Sequence, residues 1–365
     1  MYGITATAAT TLFYRWLRLA PEHRKMLWSL YGWFTALVVV GSVFAIATWL
    51  TWMQCLSNFY RSNQYERSDP ARWMSLTAVA YSMRPAFTAC YPIAFFCISV
   101  AKLLVFDRLS DFAESSASGT WVAGKRAVFA VVVIGNVVGL AGNFSAAALF
   151  QNAATLFTSA AVSFAANNTI LDVDGNKYRT LGLQQAEQAF TVESVQALSE
   201  VTVLIFIVVA ILVAAIACAG IIRARLLGVN SASAAAAEGR SIMLRIAITS
   251  AVVFFAFSLR AVFSTMFAIA YMLQDTASAC SSDQNKCDPA CFNIYTLILR
   301  WMFYTPHFEI LVDAVSSPLA LLVAMWGMTT RRALQILGLH SLNSDQKKVP
   351  IVEITLNSDT GRPRV

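Results

Sequence analysis

Residues 307–318, HFEILVDAVSSP, place Glu309 and Asp313 four positions apart, and so on one helix face, at the head of an apolar run. A carboxylate inside hydrocarbon costs several kcal/mol unless it is paired or hydrated, so two of them there are candidates for function. Two cations sit in comparable runs. Arg84 lies just before Pro85, and Arg260 lies within FFAFSLRAVFS. The sequence reading pairs Arg260 with Asp313 or Glu309, and Arg84 takes the other acid or lines a wet outer cavity. Such a set can be a structural lock between helices or the wall of a ligand site, and both readings stay open. His307 reads as an interfacial histidine rather than a proton relay. Pro318 should kink its helix, with Ser316 and Ser317 able to satisfy the freed backbone groups.

The rest of the inventory limits the chemistry. Three histidines, His23, His307 and His340, cannot supply a multi-histidine metal centre. No nucleophile and base stand in a recognisable arrangement, so the chain reads as a non-enzyme without cofactor or metal. Asp172-Val173-Asp174-Gly175-Asn176 lacks the ligand spacing of an EF-hand. It reads instead as a β-hairpin turning at Asp174-Gly175, with strands over 169–173 and 177–181.

These residues need elements to hold them. Hydrophobic residues make up 58% of the 365 and charged residues only 13%, against about 25% charged in soluble domains. Six apolar runs, near 27–54, 75–105, 127–149, 199–222, 246–272 and 304–328, can each cross a hydrocarbon core of ~30 Å. The expected fold is an all-α membrane protein, with these six complete spans in a transmembrane bundle over 27–330. Residues 1–26 hold a short apolar stretch, MYGITATAATTLFY, and a basic loop. That stretch is either an interfacial lead-in or the end of a truncated first helix, which would make seven.

The net charge of +7 fits basic cytoplasmic loops rather than nucleic-acid binding. RWLRLAPEHRK, RARLLG…EGRSIMLR and the 331–365 tail are basic, which puts them and the C-terminus on the cytoplasmic side. The 150–198 and 273–291 regions then become extracellular loops, acidic and partly apolar. Cys280, Cys287 and Cys291 lie in the second, and Cys55 lies at the outer end of the first span. Cysteines gathered on one side suggest disulfides of undetermined connectivity. Asn167-Asn168-Thr169 is a glycosylation sequon on the same face. LFQNAATLFTSAAVSF, within the first of these loops, is expected as a helix on the surface or capping the bundle, and GLQQAEQAFTVESVQALSE as a helix running into the next span.

Inside the spans, Gly135 and Gly139 form a G-x-x-x-G pair. Asn136 and Asn143 are candidates for hydrogen bonding between helices. Lys102 should snorkel to an interface. Asp107 and Arg108, in FDRL, stand where rhodopsin-type receptors keep an acid-arginine switch. The order of spans and loops resembles that of G-protein-coupled-receptor-like seven-helix proteins. The disulfide and helix-6 motifs of rhodopsin-type receptors are absent, and the last span holds no lysine for retinal. YPIAFFCISVAKLLVF, FFAFSLRAV and the acid-then-proline last helix are similar to the plant tobamovirus-multiplication family. That resemblance implies a scaffold that binds partners rather than a catalyst.

The leading expectation is a receptor-like protein, in the plasma membrane or an endomembrane. Its outer side would bind a small-molecule or peptide ligand, and its inner loops would meet a cytosolic signalling partner. The alternatives are a transporter or channel using the Arg/Asp/Glu network, and a ligand-free adaptor.

Overall fold

In the computed structural model, the described residues are 1–18, 32–66, 68–114, 119–167, 172–226, 234–273 and 289–304, with 312, 316, 320, 322 and 323. The chain divides into two compact units, Met1–Met328 and Thr329–Val365, and every described residue belongs to the first. Among the described residues there is no strand. Seven helices follow in order: α1 (Tyr2–Leu17), α2 (Phe34–Asn63), α3 (Pro70–Glu114), α4 (Gly119–Asn167), α5 (Val173–Leu226), α6 (Ala234–Met272) and α7 (Pro289–Tyr304). Five of them, α2 to α6, are long and apolar enough to cross a membrane. That is the make-up of a multi-pass integral membrane protein. Most of the sixth run, 304–328, lies outside the described residues.

At 1.5 Å per residue, the 49 residues of α4 and 54 of α5 span roughly 73 and 81 Å, more than twice a hydrocarbon core. Side-chain exposure shows where the excess lies. Outward positions on α4 are aliphatic or aromatic at Val133, Ile134, Val137, Val138 and Phe144, then turn polar at Gln151, Asn152, Thr155 and Thr158. On α5 the outward face is mainly polar from Lys177 to Thr191, and apolar from Val195 to Ile216. Gly142 of α4 lies beside Val192 and Val195 of α5, so the two switches fall at the same level. One end of the α4–α5 hairpin, the distal end, therefore stands clear of the apolar band.

This overturns two sequence expectations. The expected helix over 149–164 continues α4 instead of lying across the bundle, and 173–198 open α5, so both belong to the distal half of a helical hairpin. From Val173 onward the supposed β-hairpin is the start of α5; residues 169–171 lie outside the described residues. The Asp172 carboxylate accepts a hydrogen bond from the Gly175 amide at 2.8 Å and from the Ser163 hydroxyl at 2.5 Å, which caps the helix and ties it to α4.

The distal half holds together through a seam with steps of three and four. On α4 it reads Ala146, Phe150, Ala153, Phe157, Ala160, Phe164, all buried. On α5 the facing positions are small. A methyl group at Gly175 would meet the Phe164 ring at 2.8 Å, and one at Gly182 would meet Phe157 at 3.0 Å. Large residues on one helix against small ones on the other give interlocked packing. Tyr81 of α3 stacks on Phe157 at 4.9 Å, which brings α3 into the same core.

In the apolar band, α3, α4, α5 and α6 share a second core around Leu103, Val132, Leu204, Ile207 and Phe257. α1 closes one side through Ala9, packed with Phe34, Val38 and Ile98 of α2 and α3. At 16 residues, α1 is shorter than the ~20 residues that a full crossing needs. The end opposite the distal hairpin is tied by an ion pair from Lys125 to Asp107 at 2.6 Å. A hydrogen bond from the Trp121 indole to the Ser110 hydroxyl at 2.8 Å adds to it.

Candidate functional site

On α5 the small-residue seam gives way to Glu193, Gln196 and Glu200, all buried. Glu193 and Glu200 are seven residues apart, so they share a helix face. On α3 the same spacing separates Arg84 from Tyr91. Arg84 meets Glu193 and Tyr91 meets Glu200, each pair 109 residues apart along the chain. α3 and α5 therefore run parallel, in one fixed register across two polar contacts.

The deeper contact is a four-residue network over three helices. Arg260 of α6 donates through Nε to Glu200 Oε1 at 2.6 Å. The Ser264 hydroxyl donates to the same oxygen at 2.9 Å. The Tyr91 hydroxyl donates to Glu200 Oε2 and accepts from Arg260 Nη2. Both carboxylate oxygens are thus engaged. A side chain only 2% exposed requires this, because a desolvated carboxylate with open lone pairs is costly.

The second contact lies two helical turns nearer the distal end. Arg84 Nη2 bonds Glu193 Oε2 at 2.9 Å. Its guanidinium sits 4.6 Å from the centroid of the Trp52 ring, 5.0 Å from Phe190, 5.1 Å from Phe150 and 5.3 Å from Phe87. Ring faces attract a cation, and the planar guanidinium suits such a box better than an ammonium would. Pro85 and Pro92 each remove one backbone rung from α3 close to these two contacts.

Between the contacts and beyond them lies a cavity of about 120 Å³ that draws side chains from α1 to α6. Glu193, Glu200, Arg260 and Ser264 stand on its wall among Trp52, Phe87, Tyr91, Phe95, Phe263 and Phe267. Lys102 closes it toward the end away from the distal hairpin. It is 4% exposed, and its ammonium lies 3.8 Å from the centroid of Phe257. It does not snorkel to an interface, because the cavity and the Phe257 face take its head group inward.

The residues singled out from the sequence fare differently. Arg84 and Arg260 come together with acids, but the acids seen are Glu193 and Glu200 of α5. His307, Glu309 and Asp313 lie outside the described residues, and so do Cys280 and Cys287. Cys55 was expected in a disulfide. It is instead a buried free thiol lying against Arg84, because its side chain faces the bundle interior rather than an outer loop. Cys291 lies in α7 and Asn167 ends α4, with their side chains outside the description. Asp107 pairs with Lys125; Arg108 follows it in α3, its side chain likewise undescribed.

Gly135 and Gly139 face α5. A methyl group at Gly135 would meet Val203 at 2.6 Å, one at Gly139 would strike the Gln196 carboxamide, and the Ser199 hydroxyl donates to the Gly135 carbonyl. Asn136 turns back on its own helix and donates to the Val132 carbonyl at 2.7 Å. Asn143 lines the cavity. The sequence reading missed Tyr91, Glu193, Glu200 and Lys102 as site residues. The shared seven-residue spacing of Arg84/Tyr91 and Glu193/Glu200 was the available signal.

Compared with protein-family models, curated proteins and solved structures, the chain matches none of them.

Proposed function

We propose that the chain is a receptor-like multi-pass membrane protein that binds a small ligand in the cavity and signals to a cytosolic partner. The cavity carries this reading. Its wall joins side chains of α1 to α6, and the Tyr91–Glu200–Arg260 network on it couples α3, α5 and α6. A ligand that touches this network in one arrangement of the helices and not in another shifts the balance between them, which is the requirement for a signal. Basic residues in RARLLG…EGRSIMLR, at the end away from the distal hairpin, support placing that end in the cytosol. The distal hairpin then faces outward, at the plasma membrane.

The test is a thermal-shift panel of acidic, basic and neutral small molecules on the full chain in lipid nanodiscs. A saturable rise in Tm that Phe263→Ala weakens tenfold or more supports the reading. No stabilisation by any compound class sinks it. A second reading, a transporter, draws on the same ionisable wall inside the apolar band. Solute-dependent flux in proteoliposomes would replace the receptor reading with that one.

A further inference from the structure

Among the described residues, the charged side chains on the cavity wall, taken with the Arg84 that pairs with Glu193, carry one cation more than anions. Arg84 neutralises Glu193 and Arg260 neutralises Glu200. Lys102 is the remaining cation on the wall. Among the described residues it has no hydrogen-bond or ion-pair partner, only the Phe257 ring. A ring face attracts an ammonium without neutralising it. An ammonium 4% exposed, inside an apolar band, with no counter-ion in contact among the described residues, is the costly arrangement that buried charges ordinarily avoid. The occupant of the cavity can supply what is missing.

We propose that the cavity binds a monocarboxylate with an apolar or aromatic body, its carboxylate on the Lys102 ammonium. This rests on the ligand-binding reading above and names the ligand's chemical class. The size fits. The same measure of volume assigns a single water ~10–15 Å³, so about 120 Å³ admits a body of roughly ten non-hydrogen atoms. The shape fits as well. The α3 wall runs from Phe87 to Lys102, about 22 Å of helix at 1.5 Å per residue, so the space is long and narrow. The middle of the wall is ring faces and edges from Phe87, Tyr91, Phe95, Phe263 and Phe267, which accept a flat ring or an alkyl chain and offer an anion nothing. Arg260 is already engaged by Glu200 and Tyr91, so among the described residues Lys102 is the wall cation open to the ligand. A single negative charge offsets the surplus of Arg84, Lys102 and Arg260 over Glu193 and Glu200 among the described residues; a dianion or a cation does not.

The experiment compares acids with isosteric neutral and cationic compounds on the full chain in nanodiscs. 3-Phenylpropanoate and octanoate are titrated against 3-phenylpropan-1-ol, octan-1-ol and 3-phenylpropylamine, with sodium chloride as the inorganic control, by Tm and equilibrium dialysis. Acids binding saturably, at least tenfold tighter than the alcohols, is the expected result. Lys102→Met should abolish that preference and Lys102→Arg should keep most of it. Alcohols or amines that bind as tightly as the acids overturn the proposal, as does undiminished acid binding by Lys102→Met. So does a Lys102-dependent effect of chloride alone. The acid–alcohol comparison needs no variant, so it decides even where Lys102→Met does not fold. Binding of neutral or cationic compounds without acids overturns this inference and leaves the ligand-binding reading standing.

Discussion

The two halves of the α4–α5 hairpin use one geometry for opposite purposes. In the distal half the α5 seam is Gly175, Gly182, Ala186 and Ala189, and phenylalanines from α4 fill the space over it. In the apolar band the same three-and-four stepping continues as Glu193, Gln196 and Glu200, then Val203 and Ile207. The first half packs by shape, with rings against glycines. The second packs by charge, and cations from α3 and α6 must enter to make it tolerable. Polar groups face outward over the apolar distal core, and apolar groups face outward in the band, where the interior holds charged contacts beside an apolar core. That inversion separates a water-exposed helical hairpin from a membrane-embedded site.

The widest contrast to test is access to solvent. Thr155→Cys and Gln184→Cys, on the outward distal faces, should react with a membrane-impermeant maleimide in liposomes. Val137→Cys and Val209→Cys, in the band, should stay unlabelled in a chain otherwise freed of reactive cysteine. Equal labelling of the two sets would erase the boundary near Gln151 and Thr191.

Next in size is the charge seam. Glu200→Ala leaves the Arg260 guanidinium buried without its acid. It should cost on the order of 3–5 kcal/mol, seen as a large fall in Tm, with Glu200→Leu/Arg260→Met regaining most of it. No recovery in the double variant would argue that the network does more than neutralise charge.

The shape seam is less costly to disturb. Gly182→Val drives a side chain into Phe157 and should cost ~1–3 kcal/mol. Gly124→Ala on α4, with nothing within 4 Å, should instead be neutral or raise Tm slightly. If both behave alike, close approach does not hold the hairpin. Smallest is the cap. Asp172→Ala should remove about 1 kcal/mol and loosen the start of α5, measured as faster amide exchange at Val173–Asn176.

Much of this design could be read from residue spacing, and the misreadings share a cause. The apolar runs in α2, α3, α5 and α6 were plain, because about 20 apolar residues admit few other uses. GLQQAEQAFTVESVQALSE was legible as a helix entering its span. Asp174-Gly175 misled because glycine after aspartate is the mark of a turn. Here the glycine makes room for the Phe164 ring, and Asp172 caps a helix. The Ala/Phe run at 146–164 was apolar enough to suggest a cap lying over the bundle; its three-and-four stepping identifies a packed seam. Glu193 falls within the 150–198 region that reads as an acidic outer loop, since charge bias reads whole segments and not helix faces. The partners of Arg84 and Arg260 needed the α3–α5 register, which no single segment contains.

That register has a mechanical consequence. Two latches of equal pitch, Arg84 to Glu193 and Tyr91 to Glu200, resist sliding together, because a shift of one helical turn opens both at once. α3 and α5 therefore behave as one beam. α6 joins that beam through Arg260 and Ser264 on the Glu200 carboxylate, through Arg260 on the Tyr91 hydroxyl, and through the apolar core around Leu204, Ile207 and Phe257. A movement of α6 alone would break its contacts to Glu200 and Tyr91 and leave the Arg84–Glu193 latch closed.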